Sequence, residues 1–184
     1  MSQSYQMADL ENRFVYRKNM FLEFTKLVLR YSEAKDFLKR GSFLDSLYSV
    51  HQSLHHSARL AVLEIGENPK VLLWEQVKEI DSSVYRLYEE LLTSSEPLDK
   101  RIELFLLALE FSVLSKLENG VGFLLDLLKS RVEPWTLDEI INHPTIDDPS
   151  LDLTFILEKM TTRSLLRLRT VERDGIKKRG FSYF

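Results

Sequence analysis

The sequence predicts an all-α protein: an up-down helical bundle followed by a small winged helix-turn-helix-like domain that ends in a β-hairpin. Three observations carry this reading. From Glu11 to Arg131, apolar residues recur at intervals near three, four and seven, with only short breaks. No β-prone run occurs before residue 160. After Arg131 the helical spans shorten, and the chain closes on two β-prone runs flanking an Asp-Gly pair. The expected division is 1–131 for the bundle and 132–184 for the winged domain.

The elements follow in order. Phe14, Phe21, Phe24, Val28, Tyr31 and Leu38 share a stripe over Glu11–Arg40 that no Pro or Gly interrupts, which predicts one long amphipathic helix. Gly41 ends it and Ser42 is placed to cap the next, which runs to about Ile65 and stops at Gly66-Glu67-Asn68-Pro69. VLLWEQVKEI (71–80) reads as a short helix. Asp81 or Ser82 then caps SSVYRLYEELL, where Val84, Leu87, Tyr88 and Leu91 share a face. Pro97 suits the first turn of a helix reaching 118, and Asn119-Gly120-Val121-Gly122 breaks it before FLLDLLKSR resumes. Beyond 131, Thr136 and Glu139 have capping-box spacing, and Leu153, Ile156, Leu157 and Met160 mark another helical stripe. The runs 165–171 and 177–184 then form the hairpin.

With 184 residues and 44% hydrophobic content, the chain is long and apolar enough to bury a core. Its apolar runs fall short of the roughly 20 residues that span a bilayer, and the polar start MSQSYQMADLENR lacks the apolar stretch of a signal peptide. There is no cysteine, which excludes disulfides and thiolate metal sites and leads us to expect a cytoplasmic protein. The net charge of −3 hides an asymmetry: residues 161–184 hold seven cations against two acids. Arg167, Arg169, Arg173, Lys177, Lys178 and Arg179 are therefore the candidates for contact with a polyanion.

The segment YSVHQSLHHSARL (48–60) gathers three of the four histidines. At 100° per residue, Leu54, Ala58, Ala61 and Ile65 fall within about 40° of Leu47, and the five should face the bundle interior. His51 lies in that seam, His55 at its edge and Arg59 on the flank, while His56 projects to the opposite, solvent side. His51, His55 and Arg59 are stacked on successive turns. They can be a buried, hydrogen-bonded histidine with polar neighbours, or the lining of an anion or nucleotide pocket, for which the planar guanidinium fork is suited. A zinc site is a third reading, but His-Gln-Ser-Leu-His lacks the HExxH base.

Other chemistry is sparse. No GxGxxG, P-loop or GxSxG pattern occurs. GSFLDS (41–46) has the Gly-Ser of a nucleotidyltransferase turn without its Asp-x-Asp pair. Glu89–Glu90 and Asp147–Asp148 read as solvated faces and caps. The second helix of the winged domain carries Asp152 and Glu158 against Lys159, unlike the cation-rich recognition helix of a DNA reader, so nucleic-acid contact is the less favoured role for the tail.

ARLAVLEIGENPKVLLWEQVKEIDSSVYRLYEELL (58–92), preceded by LDSLYSVHQSLHHS, resembles the helical substrate-binding region of bacterial nucleotidyltransferase-like proteins. In that family an amino-terminal nucleotidyltransferase domain precedes a bundle related to aminoglycoside nucleotidyltransferase second domains and to HEPN bundles, and a helix-turn-helix closes the chain. The resemblance spans roughly 12–184. Since the combined Gly-Ser and Asp-x-Asp signature of the nucleotidyltransferase domain is lacking, it implies the non-catalytic carboxy-terminal portion of a longer protein. The HEPN ribonuclease order, Arg and then His, also fails here. By the resemblance His51, His55 and Arg59 face a ligand cleft with Trp74 or Tyr85 as an aromatic wall, and the ligand is a nucleotide or small phosphorylated substrate. Magnesium and nucleotide chemistry belong to the catalytic domain, this chain needs no cofactor of its own, and the bundle pairs as a homodimer. The rival expectation is a transcription regulator with a helical sensor bundle and a DNA-binding winged helix.

Overall fold

The computed structural model describes residues 2–146, 148, 151–173 and 175–184, with 2–10 as backbone alone, and eight α-helices and three strands follow one another among them. They divide into two compact units, Met1–Val121 and Gly122–Phe184. The division lies ahead of the sequence-based boundary at 131. The apolar segment Gly122–Lys129 reads like one more bundle helix, but its buried Phe123, Leu124, Leu127 and Leu128 belong to the core of the second unit.

In the first unit α1 (Ser2–Lys39) and α2 (Phe43–Glu64) fold back on each other through a turn at Arg40–Gly41. Met20, Phe21, Phe24, Leu27, Val28, Tyr31 and Ala34 of α1 are buried. Burying each of the larger of these side chains stabilises by about 1.5–3 kcal/mol. The opposing face of α2 is made of serines. Ser46, Ser49, Ser53 and Ser57 are all at most 2% exposed. Ser46 Oγ donates to the Ala34 carbonyl at 2.7 Å and Ser53 Oγ to the Leu27 carbonyl at 3.1 Å, so these buried hydroxyls are satisfied by α1. Small side chains let the two backbones approach, and the hydroxyls fix their antiparallel register.

Helices α3 (Leu73–Ile80) and α4 (Ser82–Thr93) pack on α2 through a cluster of Ala58, Val62, Leu73, Val77 and Val84. The Asp81 carboxylate caps α4, accepting from the Ser83 and Val84 amides. Ser42 stands at the N-cap of α2, as expected, but its hydroxyl makes no capping bond. Helix α5 (Leu98–Gly120) packs on α1 and α2. Gly120 is helical and acts as a contact point: a Cβ there would collide with the ring of Phe24, which is wholly buried. The expected break comes one residue later, at Val121.

The second unit holds α6 (Gly122–Lys129), β1 (Trp135–Thr136), α7 (Leu137–Ile141), α8 (Thr154–Thr162), β2 (Arg167–Arg173) and β3 (Ile176–Ser182). The capping box forms as expected: Thr136 accepts from the Glu139 amide, and the Glu139 carboxylate returns to the Thr136 amide. Leu153, Ile156, Leu157 and Met160 are fully buried. The hairpin pairs Leu168 with Phe181 and Val171 with Lys178, and Gly175 takes the left-handed φ of +74° that its turn requires. Asp174, its expected turn partner, lies outside the described residues, as does Asp147. One strand contradicts the expectation that none precedes residue 160. Trp135 and Thr136 pair with Phe181 and Gly180, giving a sheet of order β1-β3-β2. Two residues have no periodicity to read; partners 46 and 44 positions away along the chain define the strand.

Candidate functional site

The imidazole-rich segment lies in the middle of α2, and α1 covers the side expected to face water. Glu23 of α1 is only 8% exposed and uses both carboxylate oxygens on α2. His56 Nδ1 stands 2.9 Å from Oε2, and Arg59 Nε donates to Oε1 at 2.7 Å. His56 is thus half-buried against Glu23, and its expected solvent position is corrected. The helical wheel assigns α2 one buried face, whereas its serine face is buried as well. At the other end of the seam Ile65 is exposed, because the helix stops at Glu64.

Burial would raise the Glu23 pKa; the hydrogen bonds from His56 and Arg59 outweigh it and hold the carboxyl below its ordinary value. This acid is therefore a carboxylate at neutral pH, with two donors fixed on it. A signal for it exists in the sequence: Glu23 interrupts the otherwise apolar series Met20, Phe21, Phe24, Leu27, Val28. An acid in that place needs cationic partners on the neighbouring helix.

The Arg59 bond to Glu23 runs through Nε, so the two Nη groups keep their donors, and no described residue takes them. The side chain is 36% exposed, so solvent can reach it. One turn earlier, His55 is held below the ordinary imidazole range, first by burial and then by the positive charge of His56 and Arg59, with Glu23 working in the opposite sense. A neutral imidazole and an anchored guanidinium thus stand on successive turns. A further turn back, His51 Nε2 lies 3.4 Å from the Tyr88 hydroxyl, with the rings 5.6 Å apart. Tyr88 in turn stacks on Trp74 at 3.7 Å, with the planes 5° apart.

The structure therefore brings His51, His55 and Arg59 into one strip and ties it to Trp74 through Tyr88, a residue the sequence reading placed on a face without giving it a role. Tyr85 packs, as Trp74 does, against the cluster that includes Ala58 and Val62, and it carries Lys78 over its ring at 5.3 Å. No group of three or more His, Asp or Glu side chains that could hold a metal ion occurs among the described residues.

The cations of the winged unit are arranged differently. Arg173 Nε is 3.6 Å from Glu139, Lys178 donates to Asp138 at 2.7 Å, and Arg179 is 3.8 Å from Glu158. Arg167 lies over the Phe184 ring at 4.6 Å. Exposed Arg169 and Lys177 make no ion pair with a described acid. Glu139 is the centre of this network, taking Arg131 Nη2 at 2.7 Å as well as the Thr136 amide. Burial is the largest single influence and raises its pKa; the Thr136 amide, Arg131 and the Thr136 hydroxyl together outweigh that and bring it to about 2. No helix among the described residues is long and apolar enough to cross a membrane.

Comparison with known proteins agrees with this division of the chain. A family model of the YgxA-like substrate binding domain matches residues 17–116, and one of a helix-turn-helix domain matches 122–183. The YgxA protein of Bacillus subtilis (strain 168) is 34% identical over 183 residues, an alignment covering 97% of this chain and 62% of that protein. The crystal structure of a nucleotidyltransferase-like protein from Exiguobacterium sibiricum 255-15 is similar with a TM-score of 0.84 at 33% identity. That match covers 92% of this chain and 59% of the other. The chain thus spans about three fifths of the length of these relatives.

Proposed function

Because this chain belongs to the YgxA-like substrate-binding family, with a helix-turn-helix domain following, we propose that its helical unit binds a nucleotide or small phosphorylated substrate through the α2 strip. The reactive step, with its magnesium, is assigned to a nucleotidyltransferase domain outside these residues, and the strip itself is non-catalytic. The neighbour described as nucleotidyltransferase-like supports this reading. The observation that carries it is the anchoring of Arg59 by a buried carboxylate through Nε. A guanidinium held this way loses little further freedom on binding, and its free end offers two parallel donors that match phosphate oxygens. The half-buried neutral His55 beside it adds a donor without adding charge that would need neutralising.

The test separates the fork from the charge. Arg59→Lys retains a cation for Glu23 and removes the planar pair of donors. Calorimetry with ATP and with inorganic pyrophosphate should show binding to the natural chain weakened about tenfold or more by Arg59→Lys, equivalent to about 1.4 kcal/mol. The melting temperature should change little. Equal affinity in the two proteins, or no binding to the natural chain, would remove the site.

A further inference from the structure

Helix α5 has two apolar faces, and the bundle uses one. Ile102, Phe105, Leu106, Leu109, Val113 and Leu117 are buried. Leu104, Leu107 and Phe111 are 57%, 66% and 76% exposed, and Leu114 is half-buried. These last four succeed one another at intervals of three, four and three residues. Exposed Lys100 and Glu118 extend the series by four at either end. At 100° per residue the set lies on the side of α5 opposite its buried face. Alternation of three and four is the repeat of a coiled-coil seam, here displayed to solvent by a helix already held from behind. Scattered exposed leucines need no partner, but a continuous seam does.

The charges at its ends indicate the occupant. Place a second α5 antiparallel, with the two-fold axis passing midway between Leu107 and Phe111. Leu107 then faces Phe111, Leu104 faces Leu114, and Lys100 faces Glu118 at both ends. A parallel copy would set Lys100 against Lys100 and Glu118 against Glu118. The seam is self-complementary in one orientation only, which is the requirement of an isologous contact. The Lys100 bond to Glu103 is an exposed i,i+3 pair and offers little competition. We propose that the face formed by Leu104, Leu107, Phe111 and Leu114 docks a second copy of this chain, with α5 pairing antiparallel and Lys100–Glu118 pairs closing both ends.

Sedimentation equilibrium of the 184-residue chain should give a dimer. Phe111→Glu should weaken association at least a hundredfold while circular dichroism shows an unchanged helical fold, since the side chain is exposed. Lys100→Glu alone should weaken it about tenfold, and Lys100→Glu combined with Glu118→Lys should return it to near the natural value, because the exchange re-forms opposite charges across the axis. A monomer at every concentration, a dimer indifferent to Phe111→Glu, or a charge-exchanged protein as weak as the single variant would overturn the proposal.

Discussion

Arg59 in the bundle and Arg173 in the wing are both arginines paired with a glutamate, and the comparison shows what burial does to such a pair. Glu23 is almost fully covered and has no solvent to fall back on, so its two donors are structural necessities, and one of them has donors to spare. Glu139 is a third exposed and collects Arg131, Arg173 and a backbone amide in a network at the edge of the sheet. There the cations serve to hold strands and short helices together. A basic residue is therefore a candidate for ligand contact by virtue of which atoms its partner leaves available, and a count of charges does not reveal that.

The sharpest test of this contrast is Glu23→Ala. It leaves Arg59 without its counter-charge and His56 without its hydrogen-bond partner in a half-buried place, and a loss of about 3 kcal/mol is expected, at the low end for a broken buried pair. The two tryptophans make the measurement local, since Trp74 lies in the first unit and Trp135 in the second. Urea unfolding followed by Trp74 fluorescence in a Trp135→Phe background should show the shift. An unchanged midpoint would mean that the pair contributes no more than a surface one.

Glu139→Ala comes next, at about 1 kcal/mol, the value of a lost cap in a solvent-screened network. Its pH dependence has a definite sign. Both Glu23 and Glu139 have folded-state pKa values below their unfolded ones. Their stabilisation is complete above about pH 4.5 and is lost as the pH falls, for Glu139 towards about 2. Natural protein should therefore lose stability across that interval, and Glu139→Ala should flatten the dependence seen by Trp135 fluorescence in a Trp74→Phe background. An equally steep acid limb in the variant would place the titration elsewhere.

The smallest effect is expected from Arg169 and Lys177. If the wing read duplex DNA, these exposed cations would be the ones to touch phosphates, and replacing both with alanine would reduce the salt slope by about 2. We expect weak binding of duplexes with no discrimination between sequences, and little change in the double variant. Steep salt dependence together with sequence preference would favour the regulator reading over the substrate-binding one.

Much of the fold is readable from local pattern: the stripe of α1, the capping box at Thr136 and Glu139, the left-handed turn at Gly175. What escapes is whatever depends on partners distant along the chain. Serines 46, 49, 53 and 57 look like a wet face until α1 lies against them, and for that reason His56 is misplaced by the helical wheel. β1 exists only because β3 comes back beside it. In the site, residue types at i,i+4 spacing disclose the strip His51–His55–Arg59, whereas its anchor Glu23 and its aromatic neighbour Tyr88 come from other helices. Gly120 likewise looks like a helix breaker and proves to be the space that the Phe24 ring occupies.

The fastening of α1 to α2 has a mechanical consequence. Ser46 grips residue 34, Ser53 grips residue 27, and His56 and Arg59 grip residue 23, so the attachments descend one rod as they climb the other. Sliding either rod by a single turn, about 5.4 Å, would shear every attachment together, and no intermediate setting would restore even half of them. The guanidinium tip therefore inherits its position from the whole length of the zipper, and a disturbance at its far end, about 16 Å away along α1, would be felt there as misalignment.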